Sequence, residues 1–322
     1  MSPNEIHART HKVIGIFGEV LADIFPDETV LGGAPFNVAR HLQAFGLHPV
    51  MITRTGNDAL RTQFLQEMQR LKMDVSGLQI DAIYPTGQVK VKLTSDGHQF
   101  DILEDQAYDH IHAGITHMVT MSLKPEMVYF GTLAQRSMPS RLALDKFLED
   151  GKCPRFLDVN LRAPFYNKHT LNRSLLRSDI VKLNEEELVI IAKYFKIDAN
   201  NPVSSNHLHQ SNLHEKAKKL ATEFDIKQII VTAGEQGAWM TVDDKIIQTE
   251  AQASKQLKIA DTVGAGDAFS AVCMLANTLN WDHASMLNRA NAFASAICSI
   301  RGGAPADMGF YTPFIESWNL QL

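Results

Sequence analysis

Cysteine is scarce in this 322-residue chain: there are three, Cys153, Cys273 and Cys298, widely spaced and without a C-x-x-C pair. An odd, scattered set excludes a disulfide framework and reads as buried thiols in a reduced cytosol, so a cytoplasmic location is expected. Long hydrophobic runs are missing too. The stretch Ala268–Ala276 is broken by Ser270 and is far too short to span a membrane. Met1–Lys12 is polar and lacks the apolar centre of a secretory signal. There is no basic excess. Lys and Arg number 31 against 36 Asp and Glu, a net charge of −5, which argues against nucleic acid or an anionic membrane as the main partner. No G-x-x-x-x-G-K-[ST] occurs, which disfavours a P-loop NTPase. Gly264-x-Gly266 runs on to Phe269, where a dinucleotide fingerprint needs a third glycine. The histidine pairs His110-x-His112 and His207-x-His209 lack a Cys or carboxylate at zinc-site spacing.

What is present is a globular α/β pattern with no internal repeat. Buried strands are expected at Val13–Phe17, Pro49–Thr53, Met127–Phe130, Arg155–Val159, Ile180–Leu183, Gln228–Thr232 and Ala238–Val242. Helices are expected at Asp58–Leu71, Ser140–Leu148 and Glu185–Phe195. Alternating elements predict a mostly parallel central sheet with helices on both faces, in one domain covering residues 1–322. Gly87–Thr94 alternates apolar and polar residues, and Ser95-Asp96-Gly97 reads as a hairpin turn with a return along Gln99–Leu103. Asp198–His214 is rich in Asn, Ser and His and reads as a solvated loop.

Two glycine-bearing segments carry the chemistry. Asp261-Thr262-Val263-Gly264-Ala265-Gly266-Asp267 is a small-residue turn running into an apolar helix. Its first peptide N–H groups, and the positive end of the helix dipole, suit a phosphate in transfer. A carboxylate beside a phosphate makes sense if Asp267 takes a proton from an attacking alcohol. An N-cap on an ordinary buried helix is the alternative. Earlier in the chain, Gly32-Gly33-Ala34-Pro35-Phe36-Asn37-Val38-Ala39 opens a second helix, with Pro35 where a missing N–H costs nothing. Asn37 lies off its apolar stripe, where an amide can both donate to and accept from hydroxyls.

Together these segments resemble the ribokinase-like (PfkB-type) carbohydrate kinase family, with its G-G-A-x-x-N-x-A and D-T-x-G-A-G-D motifs matched in order over roughly Val13–Phe314. The resemblance implies an ATP-dependent sugar kinase whose lid is a small β-sheet formed by segments near 19–31 and 84–104. It makes Asp267 the base and Gly264, Ala265 and Gly266 an anion hole for the moving phosphoryl group. It assigns the sugar to Asp23, Gly32, Gly33 and Asn37, with Gln135, Asn160 and Arg162 as further candidates. In Asp158-Val159-Asn160-Leu161-Arg162 a strand period of two would put all three polar residues on one face. Nucleotide would contact Asn184, Thr232, Gly234, Gly237, Asn288 and Asn291. Asn184 and Glu187 form the family's N-x-x-E, with Glu187 organising Mg²⁺ through water, although an N-cap explains the pair equally well. A K⁺ site would use Asp261, Val263, Cys298, Arg301 and Gly303, mostly through main-chain oxygens. The family's late serine in that loop is Asp307 here, a departure that weakens the K⁺ assignment. The stretch Gly18–Pro26 with Gly32–Asn37 looks most like bacterial fructokinases, which implies D-fructose phosphorylated at its 6-hydroxyl. Ribokinase, 2-keto-3-deoxygluconate kinase and nucleoside kinase activities stay open, as does a non-catalytic sugar sensor on the same fold. A homodimer through the lid is expected.

Overall fold

The structure is a computed structural model and describes residues 12–94, 97–198, 206–249 and 261–320. Along the chain run β1 (Val13–Phe17), β2 (Leu21–Ile24), β3 (Thr29–Gly32), α1 (Ala34–Ala44), β4 (His48–Gly56), α2 (Ala59–Arg70) and β5 (Leu78–Asp81). Next come β6 (Gly87–Thr94), β7 (Gly97–Ile102), α3 (Ala113–Leu123), β8 (Met127–Gly131), α4 (Met138–Gly151), β9 (Arg155–Asp158) and α5 (Lys168–Leu175). The remainder is β10 (Ile180–Asn184), α6 (Glu185–Phe195), α7 (Asn206–Phe224), β11 (Gln228–Thr232), β12 (Ala238–Val242), β13 (Lys245–Thr249), α8 (Ala265–Thr278), α9 (His283–Ile297) and α10 (Thr312–Ser317).

Nine strands form one sheet in the order β13-β12-β11-β10-β9-β8-β1-β4-β5. It is parallel from β11 to β5, and β12 and β13 add to its edge antiparallel. The strands read as nearly continuous apolar runs because both faces are buried. In β8, Met127 and Tyr129 point into one core with α1, α2, α8 and α9, while Val128 and Phe130 point into the other with α4 to α7. The chain winds away from β1 in two directions, towards β4 and, by way of β8, towards β11. A crevice opens at the carboxyl ends of strands where the order reverses in this way.

The second sheet has four strands in the order β3-β2-β6-β7. Its two hairpins, β2–β3 and β6–β7, are joined by parallel pairing of β2 with β6. Asp58 fixes it to the main body: the carboxylate caps α2 through Arg61 N at 2.9 Å and accepts from Thr86 N at 2.7 Å, one residue before β6. The expected segments near 19–31 and 84–104 therefore do meet in one sheet.

One reading is corrected. Part of Asp198–His214 is helical, since α7 starts at Asn206. Its buried Leu213, Ala217, Leu220 and Phe224 recur at helical spacing, and that periodicity prevails over the polar composition of the first turns. Residues 199–205 of that stretch, the turn at Ser95-Asp96 and the N-terminal Met1–His11 lie outside the described residues.

Candidate active site

A cavity of about 670 Å³ opens at the carboxyl ends of β1, β8, β9 and β10 and beneath the small sheet. That is the size range of small-molecule sites. Two helix N-termini form one wall. At α1 the cap is Gly33, φ 103°, where an added Cβ would stand 2.8 Å from the Glu19 carbonyl oxygen. At α8 the cap is Gly264, φ 81°, and a Cβ there would collide with the backbone of Gly303. Only glycine accepts both the left-handed backbone and the close approach.

Asp267 sits in the first turn of α8, 9% exposed and lining the cavity. Asn37 Nδ2 donates to its Oδ2 at 2.9 Å, which joins the two glycine motifs directly. Burial raises the Asp267 pKa; the Asn37 bond opposes this, Asp158 adds to it, and Lys182 and Arg162 oppose it. Desolvation thus sets the net direction, and it makes the carboxylate a better proton acceptor. Gly264 and Gly266 line the same wall.

Behind this turn lies a buried charged network that motif reading missed. Lys182 Nζ is 3.1 Å from Asp158 Oδ1, and Ser270 Oγ donates to Asp158 Oδ2 at 2.7 Å. A Cβ on Gly266 would stand 3.0 Å from Lys182 Nζ, so the ammonium lies against the Gly264–Gly266 turn and on the cavity wall. Burial pulls the Lys182 pKa down, but Asp158, Glu187 and Asp267 more than offset it, and the ammonium stays charged. A signal did exist: Lys182 is the one charge in the strand Ile180–Asn184, Asp158 closes the strand Arg155–Asp158 after two apolar residues, and buried charges are almost always paired.

The other expected residues separate into groups. Asp23, Gly33, Asn160 and Arg162 line the cavity, whereas Gly32 ends β3 just beside Gly33. Asp158, Asn160 and Arg162 do not share a strand face, because β9 ends at Asp158 and Asn160 turns left-handed, φ 38°. Asp158 therefore points into the core while Asn160 and Arg162 reach the cavity. Gln135 is corrected: its amide is committed to the Gly131 carbonyl and Ser174 Oγ at 2.8 and 2.9 Å, and it does not line the cavity. Phe100, Asp101 and Ile102 of β7 do line it and were not foreseen.

Asn184, Thr232, Gly234, Gly237, Asn288 and Asn291 lie outside this cavity, beyond its β10 side. Asn184 and Thr232 are register partners, Gly234 and Gly237 form the turn after β11, and Asn291 donates to Thr249 Oγ1 at 3.1 Å. Asn288 is exposed on α9. Asn184 and Glu187 make a reciprocal cap: Asn184 Oδ1 accepts from Glu187 N, and Glu187 Oε2 accepts from Asn184 N. Glu187 Oε1 accepts from Leu161 N at 2.7 Å. Both carboxylate oxygens are thus engaged. They fit Mg²⁺ through a hydration-shell water on a remaining lone pair, and no group of three or more His, Cys, Asp or Glu among the described residues offers a direct cage.

The loops expected to hold K⁺ do meet. Asp261 Oδ1 accepts from Val263 N and Oδ2 from Gly302 N, and Asp261 N donates to the Cys298 carbonyl. The Gly303 carbonyl contacts His41 Nε2 at 3.1 Å, and the Arg301 side chain points outward to Glu28, which leaves only the main-chain oxygen of Arg301 for a cation. Asp307 instead caps the short turn at Met308–Tyr311 through Gly309 N.

Two carboxyls make the cavity pH-sensitive. Burial pushes Glu19 up to about 7 and Asp23 up to about 6, against the partial relief that Arg162 gives both. These values lie above those of the unfolded chain, 4.5 and 3.8, so protonation favours folding; the benefit is full below the unfolded values and is lost progressively as pH rises to the folded values of about 7 and about 6. For fully buried Glu19 the loss is about 3 kcal/mol. Urea titrations at pH 5 and pH 8 should show a drop of this order in wild type relative to Glu19→Gln. A constant difference between the two proteins across pH contradicts the shift.

A doubly wound sheet with a glycine-lined cavity at its switch point, a buried carboxylate at a helix N-terminus and a small second sheet make a site suited to phosphoryl transfer onto a hydroxyl. Residues 6–307 match the model of the pfkB family carbohydrate kinases. The chain belongs to this family and is a sugar kinase. A fructokinase of Klebsiella pneumoniae is 26% identical over 282 residues, covering 80% of this chain and 82% of the relative. A putative sugar kinase of Pyrococcus horikoshii is 25% identical, covering 79% and 76%. Among solved structures, a fructokinase from Xylella fastidiosa with bound ATP superposes with a TM-score of 0.78 at 17% identity, covering 96% of this chain and 99% of that one. The 2-dehydro-3-deoxygluconokinase of Thermotoga maritima gives 0.75 at 15%, covering 95% and 100%. These two likenesses establish the ribokinase-like fold.

Proposed function

We propose that the protein transfers the γ-phosphoryl group of ATP to the 6-hydroxyl of D-fructose. The observation that carries the reaction is the buried Asp267 carboxylate on the cavity wall, bonded to Asn37 and standing beside the N-terminal amides of α8. Asp267 takes the hydroxyl proton as the sugar oxygen forms its bond to phosphorus. The bond from phosphorus to the bridging oxygen breaks, and ADP leaves with that electron pair. The amides of Gly264, Ala265 and Gly266 receive the equatorial oxygens, and the Lys182 ammonium adds positive charge at the same turn. When bound with the nucleotide, Mg²⁺ would neutralise phosphate charge, with Glu187 and Asn184 orienting its waters. ATP would lie along Thr232, Gly234, Gly237, Asn288 and Asn291, and the sugar would sit among Asp23, Gly32, Gly33, Asn37 and Asn160. K⁺ would lie between the loops at Asp261–Val263 and Cys298. A second copy could add to the small sheet at its edge strands β3 and β7, which gives the dimer a route.

Fructose is favoured by three curated relatives named fructokinase, at 24–26% identity. A second reading, a sugar acid such as 2-keto-3-deoxygluconate, is favoured by Arg162, whose exposed guanidinium lines the cavity. Initial rates with fructose, ribose, 2-keto-3-deoxygluconate and adenosine at fixed Mg-ATP, with and without K⁺, decide between them. The highest kcat/KM is expected for fructose. Sugar binding without ADP release for every compound would favour a sensor instead.

A further inference from the structure

Glu19 is a buried cavity carboxylate to which the reaction above gives no task. It follows β1 closely, is 5% exposed, and lines the cavity beside Asn37 and Asp267. Its backbone is fixed against the Gly33 turn, so the side chain is held at the sugar end. Glu19 Oε2 has no hydrogen-bond partner, and of the side chains lining this cavity only Asn37, through Oδ1, has another such buried atom. A carboxylate oxygen left unsatisfied in the interior is costly and calls for a donor from outside the protein.

The surrounding groups do not supply that donor. Arg136, after β8, holds Asp109 through Nε and Nη2 at 2.7 Å to each oxygen, and its Nη1, although without a partner, makes no hydrogen bond to Glu19. Arg162, after β9, acts on Glu19 through its charge while its Nη1 bonds the Leu161 carbonyl. Asp267 on α8 is a like charge, and of the two neutral phenols that share its field neither donates to Glu19: Tyr129 OH bonds Asp158 Oδ2, and Tyr108 OH has no hydrogen-bond partner.

We propose that Glu19 is a substrate-contacting residue whose free Oε2 accepts a hydrogen bond from a hydroxyl of a neutral sugar. This rests on the reading of the cavity as the sugar site. A bond to a carboxylate is roughly twice as strong as one between neutral groups, so the contribution depends on ionisation. Burial holds the Glu19 carboxyl near neutrality, which places the change between pH 6 and 8. At pH 6 the protonated side chain resembles glutamine; at pH 8 it does not.

The test is calorimetric titration of D-fructose into the full chain, wild type and Glu19→Gln, at pH 6 and pH 8. The two proteins should bind within about twofold of each other at pH 6, and the variant about tenfold more weakly at pH 8. Equal affinity at pH 8 overturns the proposal, as does the same weakening at both pH values, which a packing defect would give. If wild type ignores fructose but binds ribose, the fructose assignment falls, and the same four titrations with ribose decide Glu19 separately.

Discussion

Asp267→Asn should lower kcat by about 10²–10⁴-fold, the range for loss of a general base, with sugar and nucleotide affinity nearly unchanged. The amide matches the carboxylate in shape and its oxygen still accepts from Asn37 Nδ2, so the joint between the two glycine motifs survives. Folding should not suffer either. Burial already disfavours the charged form of Asp267, and a neutral amide removes that cost. Wild-type kcat/KM should fall as pH drops through the raised Asp267 pKa, and this limb should be missing from the residual activity of the variant. Steady-state kinetics from pH 5 to 9, paired with thermal melts of both proteins, separate chemistry from stability. Undiminished turnover by a well-folded variant would remove Asp267 from the reaction.

Much of this was legible because local chemistry leaves marks in the chain. Gly33 and Gly264 were readable as special, since a left-handed backbone at a helix start admits almost nothing else. The strands of the parallel sheet announced themselves as apolar runs. What could not be read were pairings between distant segments. Nothing local says that Asn37 bonds an aspartate 230 residues later, that Gln135 faces Ser174, or that Asp158 turns inward while Asn160 turns out. The stretch at Asp198–His214 failed for a different reason. Its polar composition favoured a loop, but its helix is stabilised by packing against β11 and β12, a tertiary effect that composition does not carry. Lys182 is the omission with the greatest consequence, because a charge inside a strand marks a site only once its partner is known.

Lys182→Met should cost about 3–5 kcal/mol of stability, the usual penalty for removing one partner of a buried ion pair. Asp158 is fully buried and Lys182 nearly so, which leaves the stranded carboxylate little access to water. Its remaining partners, Ser270 Oγ at 2.7 Å and Tyr129 OH at 3.5 Å, donate hydroxyls but no charge. The single variant alone is ambiguous, since unfolding also abolishes activity. Adding Asp158→Asn removes the stranded charge and should recover most of the stability. Turnover should not recover. The ammonium lies against Gly266, where the phosphoryl group would gain negative charge in transit, and neither methionine nor asparagine replaces that field. A loss of about 10²-fold in kcat should persist in the double variant with little change in sugar affinity. Denaturant titration and single-turnover rates on the two proteins give the answer. A double variant that folds and turns over like wild type confines Lys182 to the scaffold, while one that folds but stays slow places its charge in the phosphoryl transfer itself.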